Sequence, residues 1–115
     1  YKANLQDCGY ILEIGGKRFL QPGDSFLLED HLIQEKIDVL FFSPTEHNMH
    51  IKNSLTLIEK LQPKYIMPQH HSTVVVNEST FFWAKGYQKE VRDKLSETLA
   101  KRYYILEPGD KVQID

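Results

Sequence analysis

The stretch Ile37 to Ser43 (IDVLFFS) constrains the fold more than any other part of this chain. A short apolar run rich in β-branched and aromatic residues reads as a strand covered on both faces. Pro44 stops it, because proline brings no N–H to a ladder. The flanking sequence supplies the cover. Asn53 or Ser54 can cap a helix that carries Leu55, Ile58 and Leu61 and closes at Pro63. A longer helix is expected from a Ser79 or Thr80 cap, with Trp83, Tyr87, Val91, Leu95 and Leu99 repeating along one face.

Further strands fall around these elements. Gly9 to Ile14 (GYILEI) and Lys17 to Gln21 (KRFLQ) flank Gly15-Gly16, a dipeptide that permits the positive φ angles of a tight hairpin. Lys64 to Met67 (KYIM) is another short strand, ending at Pro68, and Ser25 to Glu35 is a short helix or a loop with one helical turn. Tyr103 to Leu106 and Lys111 to Ile114, on either side of Glu107-Pro108-Gly109-Asp110, predict a terminal hairpin. The order β-β-(α)-β-α-β-α-β-β predicts a layered α/β domain with a mixed sheet and covering helices.

At 115 residues the chain fits one domain with a modest core, and its formal charge of −2, with basic residues spread among acids, gives no pull toward nucleic acid or anionic membrane. No stretch approaches the roughly 20 apolar residues of a membrane span, and no signal-peptide pattern opens the chain. The lone Cys8 forms no internal disulfide, and a cytoplasmic location is expected. Cys8 reads as a core or edge residue. Tyr1 opens the chain in an already strand-like context without an initiator methionine, so a larger enzyme is expected to surround it.

The residues that carry chemistry lie where the strands stop. Asp24 follows Pro22-Gly23, so its carboxylate stands on a tight strand exit from which it can be aimed at a metal ion. The alternative is a capping or turn aspartate, the reading given to Asp110 in the near-identical Pro108-Gly109-Asp110. His70 and His71 follow Pro68-Gln69, and neutral imidazole is the commonest protein ligand of zinc. Adjacent side chains on extended backbone point apart, so at most one of the two faces a site while the other packs or meets substrate; the alternative is two solvent-exposed loop histidines. His47 and His50, in the loop after the central strand, are candidate substrate contacts or proton carriers; exposed histidines at a helix start are the plainer account. His31 is read as structural, and Phe81-Phe82-Trp83 as packing. There is no G-x-S-x-G elbow, phosphate loop or C-x-x-C pair.

The series GYILEIGGKRFLQPGD, IDVLFFSP, LQPKYIMPQHH and a terminal helix resembles the C-terminal half of the metallo-β-lactamase fold, and within it the zinc-dependent hydrolases similar to L-ascorbate-6-phosphate lactonase. The resemblance covers nearly the whole chain. It implies half of a four-layer αββα sandwich, with residues 1–115 as its single C-terminal portion. It also implies that Asp24 is the acidic ligand able to bridge two metals, and that His70, in the family's Pro-x-His, is the last histidine ligand. His71 has no role in that pattern. The family's H-x-H-x-D-H motif and a further histidine belong upstream of the Gly-Tyr strand and are not in this sequence. One or two zinc ions, or manganese, would therefore draw their remaining ligands from the N-terminal half.

Completed in this way, the resemblance implies a hydrolase that uses a metal-activated water on a lactone, ester or phosphodiester; the fragment alone is expected to be inactive. Its partners are then a small-molecule substrate and the N-terminal half, with a homo-oligomer as a further association. The second reading is a non-catalytic interaction or regulatory domain of the same fold with a degenerate metal site. The third is a stand-alone α/β binding module indifferent to chelators.

Overall fold

The computed structural model describes residues 9–22, 34–44, 50–69 and 87–115. Four strands form one mixed sheet in the order β1-β2-β3-β4: β1 (Tyr10–Ile14), β2 (Lys17–Gln21), β3 (Val39–Phe42) and β4 (Tyr65–Pro68). β1 and β2 are the expected hairpin. Gly15 and Gly16 have φ of 58° and 77°, the two positive values that a two-residue type I′ turn demands, and Ile14 pairs with Lys17 across it. β2, β3 and β4 then run parallel. The helices are α1 (His50–Leu61), α2 (Tyr87–Lys94) and α3 (Glu97–Ala100).

Asp38 ties the parallel strands together where they begin. Its N–H donates to the Arg18 carbonyl (2.9 Å), and its Oδ2 accepts from the Arg18 N–H (2.9 Å). On the other side its carbonyl accepts from the N–H groups of both Lys64 and Tyr65, each at 3.0 Å, and the Lys64 ammonium lies 3.7 Å from Oδ1. One residue thus fixes the starts of β2 and β4 relative to β3.

The two faces of the sheet differ. Leu20, Leu40, Phe42 and Ile66 share the face covered by helices, where they pack with Leu57, Ile58, Val91, Leu95, Leu99 and Tyr103. Val39, Phe41, Phe19 and Met67 share the opposite face; Val39 and Met67 are buried there without joining the helix-side core. β3 is therefore apolar on both sides, as its sequence requires.

Three sequence expectations are corrected. The first helix begins at His50, and Asn53 and Ser54 lie inside it, because the apolar stripe starts at Ile51 and Ser54 is itself buried. It ends where expected: Gln62 turns left-handed at φ 49°, returns its N–H to Ile58 (2.9 Å), and Pro63 follows. Among the described residues the second helical region is broken. Ser96 has ψ 158° and its hydroxyl accepts from the Leu99 N–H (3.3 Å), so it caps α3 instead of continuing α2. Val91, Leu95 and Leu99 stay buried across the break, so the spacing predicted the buried face correctly. The Ser79 and Thr80 cap and Trp83 lie outside the described residues.

The terminal hairpin is the third correction. The turn forms, with Gly109 at φ 92° and the Asp110 N–H on the Glu107 carbonyl (2.9 Å), yet the flanking segments do not pair with each other as strands. Residues 102–104 lie instead beside β4: the Ile66 N–H donates to the Arg102 carbonyl and the Tyr104 N–H to the Ile66 carbonyl, both 2.8 Å. Tyr103 is buried there, its ring edge-on to Phe42 (6.0 Å) and its hydroxyl donating to the Gln88 carbonyl (2.7 Å).

Two predictions follow from these ties, both for the full-length protein in urea titrations. Asp38→Ala removes the side-chain acceptor of the Arg18 N–H and should cost about 1–2 kcal/mol, whereas Asp38→Asn keeps an acceptor oxygen and should recover most of it. Burial raises the Tyr103 phenol far above its ordinary range, against a smaller lowering by Arg92. Past about pH 10 the unfolded chain gives up this proton and the folded chain keeps it, so stability falls as pH rises further. Tyr103→Phe should be less stable at neutral pH by about 1 kcal/mol and should lose that part of the alkaline decline.

Candidate functional site

Because β2, β3 and β4 are parallel, their C-terminal ends meet one edge of the sheet, the edge at which open α/β sheets bind ligands. Proline marks each end. Pro22 follows β2, Pro44 follows β3 by one residue, and Pro68 is the last residue of β4. Pro22 and Pro44 are fully buried, so the chain is held by packing until it leaves the sheet.

Each exit leads to a segment that the sequence singled out. After Pro22 come Gly23 and Asp24; after Pro44 comes the segment with His47 that ends at His50, the first residue of α1; after Gln69 come His70 and His71. Asp24, His47, His70 and His71 lie outside the described residues, as does His31. The strands that precede these segments in sequence all end at the same edge. Among the described residues no three His, Cys, Asp or Glu side chains cluster closely enough to hold a metal.

Two glutamines that sequence reasoning passed over join this edge. Gln21 Nε2 donates to Gln69 Oε1 (2.8 Å) and Gln69 Nε2 donates to Gln21 Oε1 (2.6 Å), a reciprocal amide pair between the last residue of β2 and the residue after β4. The Gln69 N–H also donates to the Phe42 carbonyl (2.7 Å), which extends the hold of β3 on the β4 exit. A signal was present in the sequence: one glutamine immediately precedes Pro22-Gly23-Asp24, and the other sits between Pro68 and His70.

The donor chemistry suits a metal in part. Asp24 and His70, which follow in sequence the strand ends joined by Gln21 and Gln69, are a carboxylate and an imidazole, ligand types that zinc accepts. Two donors are fewer than the three or four protein ligands that zinc sites use. As residue types, Asp24 and His70 would supply part of such a donor set and leave the rest to other residues.

The chain is 31% identical to a UPF0173 metal-dependent hydrolase of Carboxydothermus hydrogenoformans, over 91% of its own length and 45% of that relative. It is likewise 31% identical to a UPF0173 metal-dependent hydrolase of Symbiobacterium thermophilum, over 90% of its length and 46% of that protein. Among solved structures, Igni18, a metallo hydrolase from the hyperthermophilic archaeon Ignicoccus hospitalis, matches with a TM-score of 0.69 and 24% identity, over 90% of this chain and 44% of that one. This chain has a metallo-hydrolase fold. No protein-family model matches it. It spans about half the length of the curated relatives it matches. Among the described residues, no helix of this metallo-hydrolase fold is long and apolar enough to cross a membrane.

Proposed function

We propose that this chain is the C-terminal portion of a cytoplasmic metal-dependent hydrolase of the metallo-β-lactamase superfamily, similar to the L-ascorbate-6-phosphate lactonase group. The observation that carries the proposal is the convergence of three parallel strand exits on one sheet edge, two of them joined by the Gln21–Gln69 pair. The similarity to proteins named metal-dependent hydrolases supports the same reading. Asp24 and His70 would hold zinc or manganese, one or two ions, together with ligands from the other half of the protein.

When bound, such a metal lowers the pKa of a water and stabilises negative charge on the attacked group. The chain's own contribution is placement. Asp24 would set the metal position; His70 would complete the ligand set; His47, His50 and His71 would meet a small-molecule lactone, ester or phosphodiester. In the full-length protein, Asp24→Ala and His70→Ala should each lose tight metal binding, measured as metal content per chain after dialysis. Stoichiometric metal in either variant would overturn its assignment as a ligand. A wild-type protein that takes up no metal would favour the non-catalytic reading.

The β1 part of the sheet face away from the helices is the surface proposed to meet the N-terminal half. Tyr10, Leu12 and Ile14 project from β1 on that face with 60%, 52% and 62% exposure, beside the stacked rings of Phe19 and Phe41. Three neighbouring apolar side chains left this open are costly in water and mark a surface meant to be covered. Residues 1–115 produced alone should therefore self-associate, and Leu12→Lys should reduce that association in light scattering, whereas the full-length protein should not associate through this face.

A further inference from the structure

We propose that the Gln21–Gln69 pair is a positioning clasp that holds the ends of β2 and β4, the strand exits that lead to Asp24 and His70, at a fixed separation; that this matters for metal binding rests on the ligand assignment proposed above. β2 and β4 are not neighbours in the sheet, since β3 runs between them. Adjacent strands lie about 4.8 Å apart, so a contact from β2 to β4 must span roughly 10 Å over β3. Gln21 and Gln69 do so on the face opposite the helices, the face shared by Phe19, Phe41 and Met67. Two glutamines have the reach for this, and shortening either by one methylene removes it.

The ladders show what the clasp adds. β3 and β4 pair over four positions, from Val39↔Tyr65 to Phe42↔Pro68, and the Gln69 N–H adds a bond to the Phe42 carbonyl, so the exit toward His70 is fixed by backbone. Among the described residues β2 and β3 pair at Phe19↔Val39 and Leu20↔Leu40, and β2 runs on to Gln21 through its pairing with Tyr10 of β1. The amide pair adds a direct tie between the ends of β2 and β4 across β3.

Its geometry is suited to fixing distance. A single side-chain hydrogen bond leaves rotation free, but a reciprocal pair makes each amide both donor and acceptor and fixes the two planes together. Holding two long, half-buried side chains in place costs about what two neutral hydrogen bonds return, so the pair adds little net stability. What it retains is the relative placement of two backbone exits. Groups that orient metal ligands typically change metal affinity by tenfold or more when removed.

The test uses the full-length protein and zinc alone, with affinity measured by chelator competition and the melting temperature of the metal-free protein measured in parallel. Gln21→Leu and Gln69→Leu should each weaken zinc binding about tenfold, and the double variant should be no weaker than the weaker single, because either change opens the whole clasp. The metal-free melting temperature should hold close to wild type. Gln21→Asn keeps a polar group and guards against a variant that fails to fold; it too should weaken zinc binding, being too short to reach across β3. If Asp24→Ala and His70→Ala abolish zinc binding while the glutamine variants bind as wild type does, the clasp is overturned and the ligand assignment stands. If Asp24→Ala and His70→Ala bind zinc normally, the ligand assignment falls and takes the clasp's role with it. Losses that multiply in the double variant would show two independent residues and overturn the pair as a unit.

Discussion

Asp38 is the constraint on which the rest of the sheet depends. A parallel strand has no hairpin to set its register, so β3 must take its alignment from contacts at its ends. Asp38 supplies these with both backbone groups and its carboxylate, meeting Arg18 at the start of β2 and the Lys64-Tyr65 pair at the start of β4. Once those starts are aligned, Leu20, Leu40 and Ile66 fall on one face and the helices have a continuous apolar surface to cover. A slip of one residue in β3 would turn Leu40 and Phe42 away from the helices and Val39 and Phe41 toward them. The asymmetry of the two faces makes such a slip costly.

The same alignment determines where chemistry can occur. Strands that start level and differ little in length also finish close together, so the segments after β2, β3 and β4 begin at one edge. Buried Pro22 and Pro44 keep the first two exits rigid as far as the last packed residue. Rigid strands that end together at one edge let a scaffold present different groups without changing its core.

Much of the scaffold was legible in the sequence because its signals are local. Gly15-Gly16 specified the hairpin, the composition of Ile37 to Ser43 specified a strand buried on both sides, and the spacing of Val91, Leu95 and Leu99 specified a buried face. The errors have a common cause in competition between local options. Ser96 is compatible with a helix interior and with a cap, and the cap prevails once its hydroxyl reaches the Leu99 N–H. Tyr103 suits a hairpin strand as well as a β4 neighbour, and a buried site against Phe42 and the Gln88 carbonyl favours the second. The site was legible only as residue types at strand ends. That β2, β3 and β4 are parallel and adjacent, which unites those ends, is a non-local fact that spacing along the chain does not encode.

The glutamine pair shows the limit of reading chemistry from reactive residues alone. Glutamine neither titrates nor ligates metals readily, so a search for carboxylates and imidazoles passes over Gln21 and Gln69 even though they stand directly before both motifs. Yet a metal site is selective only if its donors arrive at the right separation, and donors on two different strand exits inherit that separation from the scaffold. Asp38 fixes the strands at their start, and the errors of twist and register accumulate along their length. The accumulated error is largest at the far end, where the site would be. A second tie at that end is the economical correction, and the reciprocal amide contact is the described interaction that spans from β2 to β4 at that edge.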